Sequence, residues 1–451
     1  MRNFLLHTYA LGRDLFLNSR FYWVLGLIVF CYLLGFFVPI FFPVGHIVLA
    51  VLVLFFLMDS ILLFRIKGGI SAIRICPDRF SNGDRNPVSI ELYNAYPYPV
   101  FIKVIDELPF QFQIRDQEFS LTLDPGQRHM LAYELQPKER GEYVFGKINV
   151  FVSSTVGLAT RRYTLGNEDR IPTYPSFIQM RKYQLMAISN RLTELGVKPI
   201  RRLGHTTEFE QIKEYVKGDD FRTINWKATA RSAKYMVNQY TDEKAQPVYC
   251  LIDKSRTMKM PFDGMRLLDY AINAALVISN IALYKHDKVG LLTFAQRMDS
   301  FLKADQKPLQ MRLIQELLYK EDTQFKEAAM DRLFVHIRRN IPHRSLLLLF
   351  TNFESLVAMN RQLPYLQSLA KSHVLVVIFF ENTAVKDLLQ NPPENTQDMY
   401  VKTLGEHFSF EKRQIVRELK QRGIISILTT PPNLTVETVN KYLEIKSRRL
   451  L

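Results

Sequence analysis

Residues 246–257 read QPVYCLIDKSRT: an apolar run, Val248–Ile252, and then Asp253-Lys254-Ser255-Arg256-Thr257. A continuous apolar run this short predicts a strand covered on both faces, the kind found in parallel sheets. The pattern recurs at Lys288–Phe294, Ser345–Phe350, Val374–Phe380 and Ile424–Leu428. Between these runs lie helix-period segments, roughly Met265–Tyr284, Pro308–Tyr319, Glu327–Asn340, Gln362–Lys371, Phe410–Arg422 and Val436–Lys446. Alternating β and α predicts a doubly wound α/β domain over 246–451. Such sheets bind ligands beyond the carboxyl ends of their strands, which is where Asp253–Thr257 falls.

Upstream the composition changes. No Asp, Glu, Lys or Arg occurs from Phe21 to Met58, a run long enough for two membrane spans. Pro39, Pro43 and Gly45 predict a reversal near its middle, giving spans over about 21–42 and 44–64 within a hairpin of 1–66. Arg2, Arg13 and Arg20 precede the first span, Arg65, Lys67 and Arg74 follow the second, and the turn between is uncharged. Basic flanks of this kind place both termini and the soluble domains in the cytoplasm of a two-pass protein in the inner membrane. Asp59 falls near the cytoplasmic end of the second span, where the interface tolerates it.

From 67 to 170 short alternating segments are separated by turn chemistry such as Ser81-Asn82-Gly83-Asp84 and Asp124-Pro125-Gly126. Strands are expected at Ile70–Ile75, Val88–Tyr93, Val100–Glu107, Gln127–Leu135, Gly141–Phe151 and Leu158–Leu165. Their number and spacing predict an immunoglobulin-like β-sandwich without its disulfide. Five tyrosines here (Tyr93, Tyr96, Tyr98, Tyr133, Tyr143) read as core and edge packing. Residues 171–245 then form a linker, with Pro172 and Pro175 at its start and a helix from Met180 to Leu195 whose apolar face is Leu185, Ile188, Leu192 and Leu195.

The 451-residue chain carries a formal charge of +15, which favours anionic partners. No nucleic-acid-binding motif accompanies that charge, so lipid head groups and acidic protein faces are the expected partners. The three cysteines, Cys31, Cys76 and Cys250, are widely spaced and outline neither a zinc site nor a disulfide framework. Phosphate loops, His-Glu-x-x-His and Gly-x-Ser-x-Gly are absent, and the expectation is a protein that is not an enzyme.

Residues 201–231 read RRLGHTTEFEQIKEYVKGDDFRTINWKATAR. The stretch alternates charge and predicts ion pairs packed against the following domain, with Asp219 or Asp220 capping a helix from Trp226 to Arg231. Glu208-Phe209, Glu214-Tyr215, Gly218-Asp219-Asp220, Arg222, Ile224-Asn225-Trp226 and Ala230-Arg231 resemble the signature of the bacterial domain-of-unknown-function family fifty-eight. The chain departs from that pattern at Lys213, where the family tends to have Arg, and at Asn225, where it tends to have Asp. The order of two spans, β domain, signature and α/β domain is similar to the family's as well.

What the resemblance implies is a membrane-anchored, von Willebrand A-like adaptor that works with a MoxR-type AAA+ ATPase or its client. The signature residues Glu208, Phe209, Tyr215, Gly218, Asp219, Asp220, Arg222, Trp226 and Arg231 then either dock a partner or staple the linker to the next domain. Two alternatives are a hydrolase using Asp219, Asp220 and Glu208 as paired carboxylates and a purely structural membrane scaffold. Asp253-x-Ser255-x-Thr257 resembles the metal-ion-dependent adhesion site of von Willebrand A domains, with Thr323 and Asn352 at its later positions. Those hard oxygen donors would take Mg²⁺ or Mn²⁺. Asn352 in place of an aspartate, and the positive Lys254 and Arg256 nearby, imply weak binding.

Overall fold

The computed structural model describes residues 14–188 apart from 67 and 116, 208–241 apart from 217, 218, 220 and 233, 245–381 apart from 263, and 396–450 apart from 449. Within it the chain forms two compact units, Met1–Tyr174 and Pro175–Leu451.

The first unit begins with a short strand, β1 (Leu15–Leu17), and two apolar helices, α1 (Ser19–Phe37) and α2 (Phe41–Arg65), both long and apolar enough to cross a membrane. The reversal is tighter than the sequence implies, because only residues 38–40 separate the helices. Pro43 and Gly45 belong to α2 instead. Pro43 lies in its first turn, where a missing N–H breaks no helical bond. Gly45 permits close helix packing: a Cβ there would lie 3.0 Å from the Tyr32 ring.

The β part of this unit contains β2 (Ile70–Ile75), β3 (Phe80–Ser81), β4 (Asn86–Asn94), β5 (Val100–Asp106), β6 (Glu118–Leu123), β7 (Arg128–Leu135), β8 (Gly141–Phe145), β9 (Ile148–Ser153), β10 (Ala159–Leu165) and β11 (Asp169–Tyr174). They form sheets ordered β1-β10-β9-β5-β6, β2-β4-β7 and β3-β11-β8. Alternate residues of β2 and β4 (Ile70, Ala72, Ile90, Leu92) share a core with those of β5 and β9 (Ile102, Val104, Val150, Val152). The run expected as one strand over 141–151 is two strands in different sheets. The chain crosses between them at Gly146, where a Cβ would fall 2.7 Å from Glu107 Cβ. Pro172 is not in a linker but in β11, opposite Glu142.

Side chains of the β part hold the carboxyl end of α2. Tyr96 Oη and Arg161 Nη1 donate to Leu63 O at 2.9 and 2.7 Å, and Tyr98 Oη donates to Leu62 O at 2.9 Å. These satisfy carbonyls that a helix end leaves unpaired. Asp59 is fully buried within the protein. It accepts from the amides of Leu158 and Ala159, each at 2.9 Å, and from the Ser154 hydroxyl. Arg74, expected as a basic flank, is instead buried in an ion pair with Asp106.

The second unit opens with α3 (Phe177–Ile188), which packs Met180 and Tyr183, not Leu185, into the α/β core. The remainder of the helix expected to Leu195 lies outside the described residues. An arm follows: β12 (Glu208–Glu214) pairs antiparallel with β13 (Met236–Thr241), and α4 (Trp226–Ser232) lies between them. The α/β sheet has strands β14 (Pro247–Asp253), β15 (Lys288–Phe294), β16 (Met298–Asp305), β17 (Leu346–Phe350), β18 (Val374–Phe380) and β19 (Ile425–Thr429), in the order β16-β15-β14-β17-β18-β19. All neighbours run parallel except β16, an antiparallel edge strand that the polar stretch Met298–Asp305 did not announce.

Alternate strand residues feed two cores. Cys250, Ile252 and Leu348 face one, with α5 (Leu267–Tyr284), α6 (Leu309–Lys320) and α10 (Leu434–Ser447). Tyr249, Leu251 and Leu347 face the other, with α7 (Met330–Asn340), α8 (Leu356–Ser372) and α9 (Thr396–Gln421). Helix α5 is also apolar enough to cross a membrane, yet its length is consumed by burial against the sheet.

Candidate functional site

Strand order reverses between β14 and β17, so their carboxyl ends flank the switch point of the sheet. A cleft of about 210 Å³ opens there, lined among others by Asp253, Ser255, Thr257 and Asn352. Four of the five residues expected at a metal site therefore come together. Thr323 does not line the cleft; Glu327 and Ala328 approach it from that side.

Asp253 ends β14 and is buried, which pushes its carboxyl pKa up, while the Thr351 and Ser255 bonds pull the other way. Its Oδ1 accepts from Ser255 N at 2.8 Å and its Oδ2 from Thr351 Oγ1 at 2.7 Å. Ser255 Oγ and Thr257 Oγ1 are hydrogen-bonded to each other at 3.0 Å. Asn352 Nδ2 donates to Thr257 O at 3.4 Å, and Asn352 Oδ1 accepts from Lys412 Nζ at 2.9 Å. The same ammonium donates to Phe353 O. Burial pushes the Lys412 pKa down to about 8, against the opposing pull of Glu354 and Glu411.

Neither positive neighbour acts as the sequence implies. Lys254 turns away into a buried cage, pairing with Glu321 and with Asp299 at 2.7 Å. Thr293 and Ser300 hydroxyls complete that cage on Glu321 Oε1 at 2.8 and 2.7 Å. Arg256 pairs with Glu354 at 3.2 Å on the surface. Among the described residues no group of three or more His, Cys, Asp and Glu side chains has a metal-holding arrangement. One carboxylate, already accepting two hydrogen bonds, and an amide oxygen facing an ammonium do not fit a divalent ion.

The signature segment forms the arm. Helix α4 is capped by Asn225 and not by an aspartate of the Gly-Asp-Asp turn: Ala228 N donates to Asn225 Oδ1 at 3.0 Å. Asn and Asp cap equally well, which accounts for Asn225 at a position where the resembled pattern has Asp. Its amide nitrogen also donates to Asn238 Oδ1 on β13 at 2.9 Å, a bond no carboxylate makes. Asp219 closes the turn instead, accepting from Val216 N and Lys213 Nζ, each at 3.0 Å. Those bonds, the backbone one first, hold its carboxyl below the ordinary value. Tyr215 N donates to Tyr235 O at 2.8 Å. The described ion pairs Lys213–Asp219 and Lys234–Glu214 are internal to the arm.

Four large apolar side chains of the arm are largely exposed. Phe221 and Trp226 are each 69% exposed, Val216 62% and Tyr235 61%. Arg222 lies over the Phe221 ring, and Arg231 is exposed. Glu208 and Phe209 occupy β12, with Glu208 opposite Thr241; Gly218 and Asp220 lie outside the described residues.

The family described as "Protein of unknown function DUF58" matches residues 211–384, from the arm into the sheet. Over those residues the chain is similar to the DUF58 family. The chain is 27% identical over 181 residues to "Uncharacterized protein YeaD" of Bacillus subtilis, covering 38% of the chain and 44% of that relative. It thus spans under half of that relative's length. Among solved structures it resembles the conserved hypothetical protein BatB from Bacteroides thetaiotaomicron at a TM-score of 0.33 and 12% identity, over 46% of this chain and 100% of that one. It also resembles the ASH/PapD-like domain of human CEP192 at a TM-score of 0.19 and 15% identity, over 24% and 87% of the two chains.

Two features of the site lay beyond sequence reasoning. Lys412 is far from Asn352 in the chain, and its only sequence signal is a lysine three residues before Ile415 and seven before Leu419, on the face that α9 buries. Thr351 directly follows the strand Leu346–Phe350 and carries no motif of its own.

Proposed function

We propose that this protein is a membrane-anchored protein-binding adaptor and not an enzyme, and that its signature arm is the docking element. The observation that carries the reading is the exposed set of Val216, Phe221, Trp226 and Tyr235 on a ribbon with one buried apolar residue, Val237, among those described. A two-stranded ribbon is marginal alone, and exposed aromatics beside arginine are what protein interfaces bury at their centres. Asp219 is committed to holding the turn, which leaves little for the hydrolase alternative. The sheet order and the switch-point cleft support a von Willebrand A-like fold for the second unit, and the packed antiparallel sheets an immunoglobulin-like one for the first. The partner implied by the family resemblance is a MoxR-type AAA+ ATPase or its client, met at the cytoplasmic face of the inner membrane.

The test uses the full chain in detergent and a purified MoxR-type ATPase from the same organism. Trp226→Ala should abolish capture of the ATPase while leaving the thermal midpoint unchanged. A midpoint that falls in step with capture would assign the arm a structural role.

A further inference from the structure

The cleft at the sheet switch point poses a separate problem. Its donor set resembles a divalent-metal site in type, yet the oxygens are already turned toward one another and toward an ammonium. Asn352 Oδ1 faces Lys412 Nζ at 2.9 Å, and Phe353 O accepts from the same nitrogen. Lys412 is fixed from the other side by α9, where Ile415 and Leu419 are fully buried against the sheet. A lysine on a packed helix face, with its head group on two loop oxygens, is a placed charge and not a wandering surface one.

We infer that Lys412 is a tethered cation that supplies from within the chain the positive charge a divalent ion would otherwise bring to this loop, so that the cleft is metal-independent. Neutral Asn352 follows from this arrangement. An amide accepts from the ammonium and donates to Thr257 O with its nitrogen, so one side chain ties α9 to both loops. An aspartate at 352 would lose the donor and form an ion pair with Lys412 instead of offering a free carboxylate to a metal. Restoring the acid alone should therefore not restore a metal site; the lysine must go as well.

The full chain in detergent is titrated with MgCl₂ and MnCl₂ by calorimetry, and its thermal midpoint is read with each ion and with chelator. The wild type and Asn352→Asp should show no metal-dependent shift, with Asn352→Asp melting higher than wild type under all conditions. Asn352→Asp combined with Lys412→Met should bind Mg²⁺ about tenfold or more tighter than Asn352→Asp alone, the scale of removing one adjacent like charge. Metal-dependent melting of the wild type or of Asn352→Asp would overturn the inference. So would a folded double variant that remains blind to both ions. Should the double variant fail to fold, Asn352→Asp decides alone: a higher, metal-blind midpoint supports the tethered cation, and a metal-dependent one refutes it.

Discussion

Asp59 shows how much one residue can carry and how little its neighbours in the sequence say about it. In the sequence it is an acid near the end of an apolar run, where the interface tolerates it. In the fold its two oxygens satisfy the amides of Leu158 and Ala159 and the Ser154 hydroxyl, about a hundred residues away in the chain. Those partners cannot be anticipated without the sheet that delivers them. Asp59→Ala would strand three buried donors, and a stranded buried donor costs about 1–3 kcal/mol. Thermal melting in detergent should show a loss of several kcal/mol, whereas Asp59→Asn, which keeps one acceptor, should lose less. An unchanged midpoint for Asp59→Ala would mean that water replaces the carboxylate. Asn225 and Lys412 teach the same lesson: residue type was readable, but the partner that gives it a role was not.

At the level of elements, legibility followed burial pattern. Strands buried on both faces, such as Leu346–Phe350 and Val374–Phe380, are continuous apolar runs and were found nearly to the residue. The edge strand β16 was not, because half-exposed Met298–Asp305 alternates with no clear period. Helix α8 begins at Leu356, with Ser355 Oγ accepting from Ala358 N at 3.2 Å, six residues before the start expected at Gln362. The pairing of β16 with β15 depends on Gly290. A Cβ there would lie 2.3 Å from the Tyr249 ring and 2.8 Å from Leu302 O. Backbone on the partner strand cannot yield without moving the strand, so Gly290→Ala should destabilise the second unit by about 1–3 kcal/mol. Urea unfolding measures it, and hydrogen exchange should show β16 opening first. Wild-type stability for the variant would mean that the edge strand shifts freely.

For the whole molecule, the order of apolar helices, β unit and α/β unit was legible because each has its own hydrophobic period. The candidate sites were legible only in part: the Asp253 loop and the signature announced themselves by motif, while the exposure of Trp226 and the tethered lysine depend on tertiary placement. Orientation rests on charge. With Arg74 withdrawn into the β core, Arg20 and Arg65 remain as the described basic residues beside the two helices. We expect both termini in the cytoplasm. A fluorescent protein fused after Leu451 should glow, and alkaline phosphatase at the same point should be inactive; active phosphatase would reverse the topology.

The bond between Asp59 and the β part also sets a thickness. Lipid chains cannot line the face of α2 where sheet backbone is hydrogen-bonded to it, so hydrocarbon contact there ends at Met58. From Phe41 to Met58 is about 18 residues, or about 27 Å of helix rise at 1.5 Å per residue. That is slightly less than the roughly 30 Å of hydrocarbon in a typical bilayer. Leu158, clustered with Ile28 of α1 and Leu52 of α2, then reaches past the level of Met58 toward the hydrocarbon. With α2 spanning a bilayer, a β part tied to it at Asp59 would meet the membrane's polar margin, and bilayer thickness would become one of the forces acting on the fold.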